Sequence, residues 1–249
     1  LRRAADELKM TAKLLGGVNT LNDDFRDYKG VLQISDRPFA DKRLGFVFQG
    51  GVERFNRGGD IQTNRWRRGP TNTETGVTEI LGDQLRLEDR QEIRRRYNTS
   101  LSLDYDLDKH DFTFFGLYSR TERDRFTMEE RFLPSEPGIE YWGRGIDNQL
   151  DLYSLSLTGE HILGPLLVDW TVSSSETKGE TPYDFSMQFV NNSQVFDSDL
   201  DANGQPSTFY SSARPELSRT LLRSNTLQET STNERANTAL VNIQLPLEV

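Results

Sequence analysis

Eight stretches of this 249-residue sequence alternate apolar with polar residues, and the connections between them alternate in length, short then long. The segment 97–106 shows the pattern best. Its odd positions carry Tyr97, Thr99, Leu101, Leu103 and Tyr105, and its even ones Asn98, Ser100, Ser102, Asp104 and Asp106. Side chains on a strand point to opposite faces with a period of two, so this segment has one greasy face and one wet face. A four-residue link, 107–110, leads into a second strand with Phe112, Phe114, Gly116 and Tyr118 on one side, although Phe115 and Leu117 blur the contrast. The two form a hairpin.

Two further hairpins follow the same rule. Tyr28, Gly30, Leu32 and Ile34 share a face, and beyond the Pro-containing link 37–42 come Leu44, Phe46, Phe48 and Val52. Later, Asp151, Tyr153, Leu155 and Leu157 oppose Leu150, Leu152, Ser154 and Ser156; after the turn 161–165, Leu166, Val168, Trp170 and Val172 alternate with Leu167, Asp169, Thr171 and Ser173. Lys9 to Val18 is the weakest strand of the set, and Ala239, Val241, Ile243, Leu245 and Leu247 form the last. Between hairpins nothing alternates cleanly: 56–94, 121–148 and 176–235 are rich in Gly, Asn, Thr, Ser, Asp, Pro and charge, and read as loops.

Structureless loops of that length are rare inside a compact soluble domain and ordinary on the outer side of a transmembrane β-barrel. Tilted strands of about 9–11 residues suffice to cross a membrane. The expected fold class is therefore all-β: an antiparallel up-and-down transmembrane β-barrel, incomplete, with about eight strands of a larger barrel and long extracellular loops. Aromatics near strand ends (Tyr28, Phe55, Tyr97, Tyr118, Trp170) suit the girdles at the two interfaces, and they suit a soluble β-sandwich as well.

Composition agrees with that layout. The apolar fraction, 34%, is low for a packed globule, and a wall with every second residue facing water explains the deficit. Aromatics at 10% and regular alternation argue against disorder. No run of about 18 apolar residues offers a transmembrane helix, which leaves a barrel open. A net charge of −9 argues against nucleic acid as a partner. With no cysteine, nothing points to disulfide or thiol chemistry. The sequence starts at Leu1 without an initiator Met and stops just after a strand-like run, so residues 1–249 read as an internal piece of a longer protein.

The run Asp36-Arg37-Pro38-Phe39-Ala40-Asp41-Lys42-Arg43-Leu44-Gly45-Phe46, continued by Gly50-Gly51-Val52-Glu53-Arg54 and Arg57, resembles the first barrel turn of large TonB-dependent receptors. Pro38 stands where that family often has an aromatic. Leu157-Thr158-Gly159-Glu160-His161, followed by Leu166-Leu167-Val168-Asp169-Trp170, resembles a later turn of the same proteins. The resemblance implies a Gram-negative outer-membrane receptor: a 22-stranded barrel, plugged by an N-terminal domain and coupled to TonB, that imports a bulky, scarce nutrient. Residues 1–249 would be the first part of the barrel, without the plug through which the TonB system acts. Implied partners are outer-membrane lipid, a bulky small-molecule substrate (siderophore, cobalamin, glycan or peptide) and a surface lipoprotein capping the barrel. No reaction and no resident cofactor are expected.

Candidate chemistry is sparse. His110 and His161 both fall in short turns at one end of the barrel and read as polar turn residues. Asp199-Leu200-Asp201-Ala202-Asn203-Gly204 has the D-x-D-x-N-G spacing of a calcium loop, and Asp197 adds a carboxylate, so Asp197, Asp199, Asp201 and Asn203 are candidate Ca²⁺ ligands. The twelfth position is Tyr210 rather than Glu, and an Asx-rich loop capping its own backbone fits the same residues. Arg65–Arg68 and Arg94–Arg96 read as an anion-attracting patch or as solvated loop charge offset by Glu88, Asp89 and Glu92. Loop aromatics (Trp66, Phe132, Tyr141, Trp142, Phe185, Phe209, Tyr210) are candidates to stack on a substrate. Two rivals stay open: another outer-membrane barrel (a passive channel or barrel-borne hydrolase), and a soluble extracellular adhesin or carbohydrate-binding module.

Overall fold

A period-two sequence needs a neighbour in matching register before its two faces become two surfaces of one sheet. A computed structural model of the chain supplies that register; it describes residues 3–20, 24–39, 41–134, 138–192 and 217–245. Nine strands follow in chain order: β1 (Lys9–Asn19), β2 (Asp24–Phe39), β3 (Leu44–Asn56), β4 (Gly59–Thr71), β5 (Thr78–Asp106), β6 (His110–Leu133), β7 (Gly138–Leu163), β8 (Leu166–Asn191) and β9 (Leu221–Gln244). They form one antiparallel up-and-down sheet in the order β1-β2-β3-β5-β6-β7-β8-β9, which does not close on itself. The calcium-like segment 197–203 lies outside the described residues.

β4 is off the main order because it pairs only with the upper half of β5, Gly59 opposite Arg90 and Thr71 opposite Thr78. β3 pairs with the lower half, Asn56 opposite Ile93 and Leu44 opposite Tyr105. The two are thus one line of strand, broken at residues 57 and 58 and both running along β5. The Arg57 amide still bonds the Glu92 carbonyl at 2.7 Å across the break, and the Asn56 side chain accepts from the Gly58 amide at 3.0 Å.

This overturns the expectation that 56–94 is a structureless loop, and the same correction applies further on. β6 and β7 run in unbroken pairing from His110↔His161 to Leu133↔Gly138, so 121–148 is the upper part of a hairpin. β8 extends to Asn191 and β9 begins at Leu221, which removes both ends of the expected loop 176–235. The physical reason is plain. Along much of these upper halves both faces carry charge, as in Glu122-Arg123-Asp124-Arg125, so hydrophobic alternation disappears while backbone pairing continues. The sheet is taller than its sequence pattern.

Register carries the apolar face across every strand of the lower sheet. Ile34 stands opposite Phe48, Phe48 opposite Leu101, Leu101 opposite Gly116 and Gly116 opposite Leu155. One row nearer the short turns, Phe46, Leu103, Phe114, Leu157, Val172 and Ala239 line up in turn. The other face carries Gln33, Gln49, Ser100, Leu117 and Ser154 in one such row. Many side chains of the apolar face are solvent-exposed: Leu14 is 91% exposed, Leu155 54% and Ile243 66%. The well-buried apolar cluster sits elsewhere, in the upper sheet, where Leu85, Phe132 and Ile139 pack together with Leu87 and Tyr141.

The short turns are tight and specific. Asp41 and Lys42 both take left-handed backbone conformations (φ 53° and 67°), which turn β2 into β3, and Asp108 does so (φ 59°) between β5 and β6. Next to the third short turn, Trp170 lies across its cross-strand partner Gly159: a Cβ on Gly159 would sit 2.6 Å from the indole. A glycine under an aromatic ring lets the ring lie flat against the sheet. Replacing it (Gly159→Ala) should lift the indole off the strand and cost about 1–3 kcal/mol as an overpacked contact. In a Trp66→Phe/Trp142→Phe background, the expected readout is a lower unfolding midpoint with a changed Trp170 emission maximum; an unchanged spectrum would contradict this packing.

Candidate functional site

The polar face of the sheet gathers most of the buried charge. At the short-turn end, Arg37 pairs with Asp104 on β5, and both side chains are about nine-tenths buried. Arg37 also donates to the Lys42 and Arg43 carbonyls at 3.4 and 3.3 Å, which fixes the β2–β3 turn from inside. The chain before β1 lies over this pair. The Ala4 amide donates to Asp104 Oδ1 at 3.0 Å and the Ala5 amide to Ser35 Oγ at 2.8 Å. Gly45 makes room for it, since a Cβ there would approach Ala4 Cβ to 2.4 Å. The Asp36–Phe46 motif is therefore a structural clamp as well as a turn.

Higher on the same face, Glu53 is a single buried carboxylate among three cations: Arg96 at 3.2 Å, Lys29 at 3.5 Å and Arg94 at 3.7 Å. Arg94 faces Arg123 directly across the β5–β6 ladder. Among the described residues Arg123 donates to a neutral partner, Asn148 Oδ1, at 3.1 Å. Around Arg94, Arg96 and Arg123 opens a cavity of about 430 Å³ whose other walls include Thr121, Asn148, Thr230 and Thr232.

A second cavity, about 370 Å³, adjoins it further from the short turns. Here charges are mostly paired. Arg144 grips Asp184 through two bonds of 2.8 and 2.6 Å, and this grip holds the Asp184 carboxyl below the usual carboxylate range. Arg90 pairs with Glu88 at 2.6 Å, and Arg131 pairs with Glu129 while lying over the Trp142 ring at 4.9 Å. Arg125 has no bonded carboxylate among the described residues. Burial, followed by the charge of Arg123, holds its guanidinium below the ordinary arginine value.

The sequence-derived candidates are distributed as follows. His110 and His161 do share the short-turn end and meet as cross-strand partners on the apolar face. Trp170 Nε1 donates to His161 Nε2 at 2.8 Å, and His161 and His110 share a 3.0 Å contact through their Nδ1 atoms. An indole can only donate, so the bond places His161's proton on Nδ1, facing His110. Arg65–Arg68 and Arg94–Arg96 are strand residues rather than loop charge: Arg65 bonds Asp83 at 2.5 Å and Arg95 bonds Asp124 at 2.7 Å. Of the aromatics expected in loops, Phe132 is buried core, while Trp66, Tyr141, Trp142 and Phe185 stand on strands β4, β7 and β8. Phe209 and Tyr210, like Asp197, Asp199, Asp201 and Asn203, lie outside the described residues.

Sequence reasoning missed Arg123, Arg125, Arg144 and Asp184, which stand in segments read as loop. A cue was present: Arg at 123 and 125 repeats with period two, which puts both on one face of a strand. No protein-family model matches the chain, and no curated protein is significantly similar to it. The chemistry open to this face is electrostatic: fixed guanidinium groups, hydroxyls and amides in walled recesses. Such an arrangement binds and orients anions.

The clamp can be tested directly. Removing the carboxylate (Asp104→Ala) leaves the buried Arg37 guanidinium with only the exposed Asp6 carboxylate, 3.8 Å away, a loss of about 3–5 kcal/mol for a buried pair. The double variant Arg37→Ala/Asp104→Ala should be less destabilised than the sum of the single changes. Urea unfolding midpoints measure both; strict additivity would mean that the two side chains do not depend on each other.

Proposed function

We propose that the chain is part of the wall of an outer-membrane receptor of the TonB-dependent type, taking up a bulky, scarce nutrient without catalysing a reaction. The observation that carries this reading is the exposed apolar face kept in register from β1 to β9. In water, a contiguous apolar surface of this extent promotes association, and lipid is the medium that suits it. Aromatic side chains bound the face. Tyr97 and Tyr118 lie toward its upper edge, with Tyr105, Phe112 and Trp170 toward the short turns. Tyr97 and Tyr105 are eight residues apart, which is about 27 Å along the strand and about 20 Å at a tilt of roughly 40°. That is close to the apolar band of about 25 Å on such barrels.

On this reading the short turns face the periplasm and the upper halves of β4 to β9 stand outside the bilayer as tall hairpins. β5 has 29 residues, nearly three times what a crossing needs. The polar face becomes the wet interior, where substrate would pass and where a plug coupled to TonB would sit. The edges of β1 and β9, unpaired with each other, are the places where further strands would continue the wall. Outer-membrane lipid and a bulky small molecule are the partners this arrangement suits, and a surface lipoprotein would meet the hairpin tips.

The absence of cysteine makes a clean test available. Nitroxide labels on single cysteines at Leu155 and Leu157 should collide with oxygen and be shielded from a water-soluble nickel reagent in lipid vesicles. Labels at Ser154 and Ser156 should show the reverse. A soluble adhesin or carbohydrate-binding module would show equal nickel access at Leu155, Leu157 and Ser156, and that result would end the membrane reading.

A further inference from the structure

We infer that the recess walled by Arg94, Arg96 and Arg123 is a binding site for a small polyanion, a molecule carrying two or more carboxylates or phosphates. The inference deepens the proposed function, since it rests on the polar face being the path that substrate meets. It also narrows the substrate from any bulky nutrient to an anionic one.

The argument begins with charge. The chain carries −9 overall, yet this recess reverses the sign. Arg94 and Arg123 are direct cross-strand partners, and like charges placed opposite each other destabilise a sheet unless something neutralises them. The carboxylate within reach is Glu53, which Arg94 shares with Arg96 and Lys29, while Arg123 is bonded to an amide oxygen. Two residues further along β6, Arg125 lines the neighbouring cavity and has no bonded carboxylate among the described residues. Unlike Arg123, it stands directly opposite a carboxylate, that of Glu92, although the two form no salt bridge.

Hydrogen-bonding capacity agrees. Arg94 Nε is buried and has no hydrogen-bond partner among the described residues, an expensive state for a charged donor. Thr121, Thr230 and Thr232 bring hydroxyls to the same recess, and Asn148 and Gln149 bring amides. Glu180 is the acidic residue of its lining. About 430 Å³ is enough for a small-molecule ligand. The neighbouring cavity makes the contrast: there Arg90, Arg131 and Arg144 each hold a carboxylate from the protein itself. In the Arg94–Arg123 recess Glu53 alone is shared by Arg94 and Arg96, and Arg123 has no bonded carboxylate among the described residues, so positive charge is left over for a ligand.

Calorimetric titration of the full chain in lipid vesicles, using citrate, inorganic pyrophosphate and the neutral trisaccharide maltotriose, tests this. Saturable binding of citrate or pyrophosphate is expected, weakening as salt rises from about 50 to about 500 mM, with no maltotriose binding. Citrate alone would assign a carboxylate ligand and pyrophosphate alone a phosphate one; both support the site. Arg123→Gln should weaken the preferred anion about tenfold or more, with Arg123→Lys restoring part of the loss. Glu53→Gln, which releases Arg94 and Arg96 from their shared carboxylate, should tighten it several-fold, a gain that misfolding would not produce.

Absence of anion binding, equal binding of maltotriose, or affinity unmoved by both Arg123→Gln and Glu53→Gln would overturn the inference. The nitroxide pattern at Leu155 and Ser156, measured on the same vesicles, separates the two failures. If the pattern holds while anions do not bind, the site alone is lost; if the pattern fails, the membrane reading falls with it.

Discussion

Backbone hydrogen bonding between antiparallel neighbours is the constraint on which the rest of this structure depends. Each ladder fixes which residues share a face, and one residue of slip would move a whole strand's apolar set to the wrong side. From β3 through β7 the lower ladders run without a bulge, from Leu44↔Tyr105 to Leu155↔Gly116 and onward. That continuity turns separate greasy stripes into a surface, and separate arginines into a recess.

The molecule divides by height rather than by domain. Near the short turns, apolar side chains occupy one face and small polar ones the other. Above Tyr97, Tyr118 and Tyr153 both faces carry charge, and cross-strand ion pairs join one apolar cluster: Arg95 with Asp124, Arg65 with Asp83, Arg144 with Asp184. Exposed pairs of this kind contribute little each, about 0–1 kcal/mol, so the upper sheet stands mainly on its backbone bonds and on the Leu85–Phe132–Ile139 cluster.

The lower sheet was legible because burial of one face writes a period of two into the sequence: Tyr97 to Tyr105 and Leu155 to Leu157 fall where alternation puts them. The upper sheet was illegible for the same reason. Where both faces are wet, Arg94, Arg123 and Arg125 look like loop charge, and β4, with Asn64, Arg65, Arg67 and Arg68, looks like a linker. The pairing of His110 with His161 was half visible: their common end followed from the turns, while their contact needed the register. The Arg37–Asp104 pair, 67 residues apart in sequence, had no local signal at all.

The break between β3 and β4 gives the wall a seam. Below it β3 is held on both sides, by β2 and by β5; above it, among the described residues, β4 pairs with β5 alone. At the seam one amide, that of Arg57, bridges to Glu92. Among the described residues the upper panel therefore has an open edge, which the strand below it lacks.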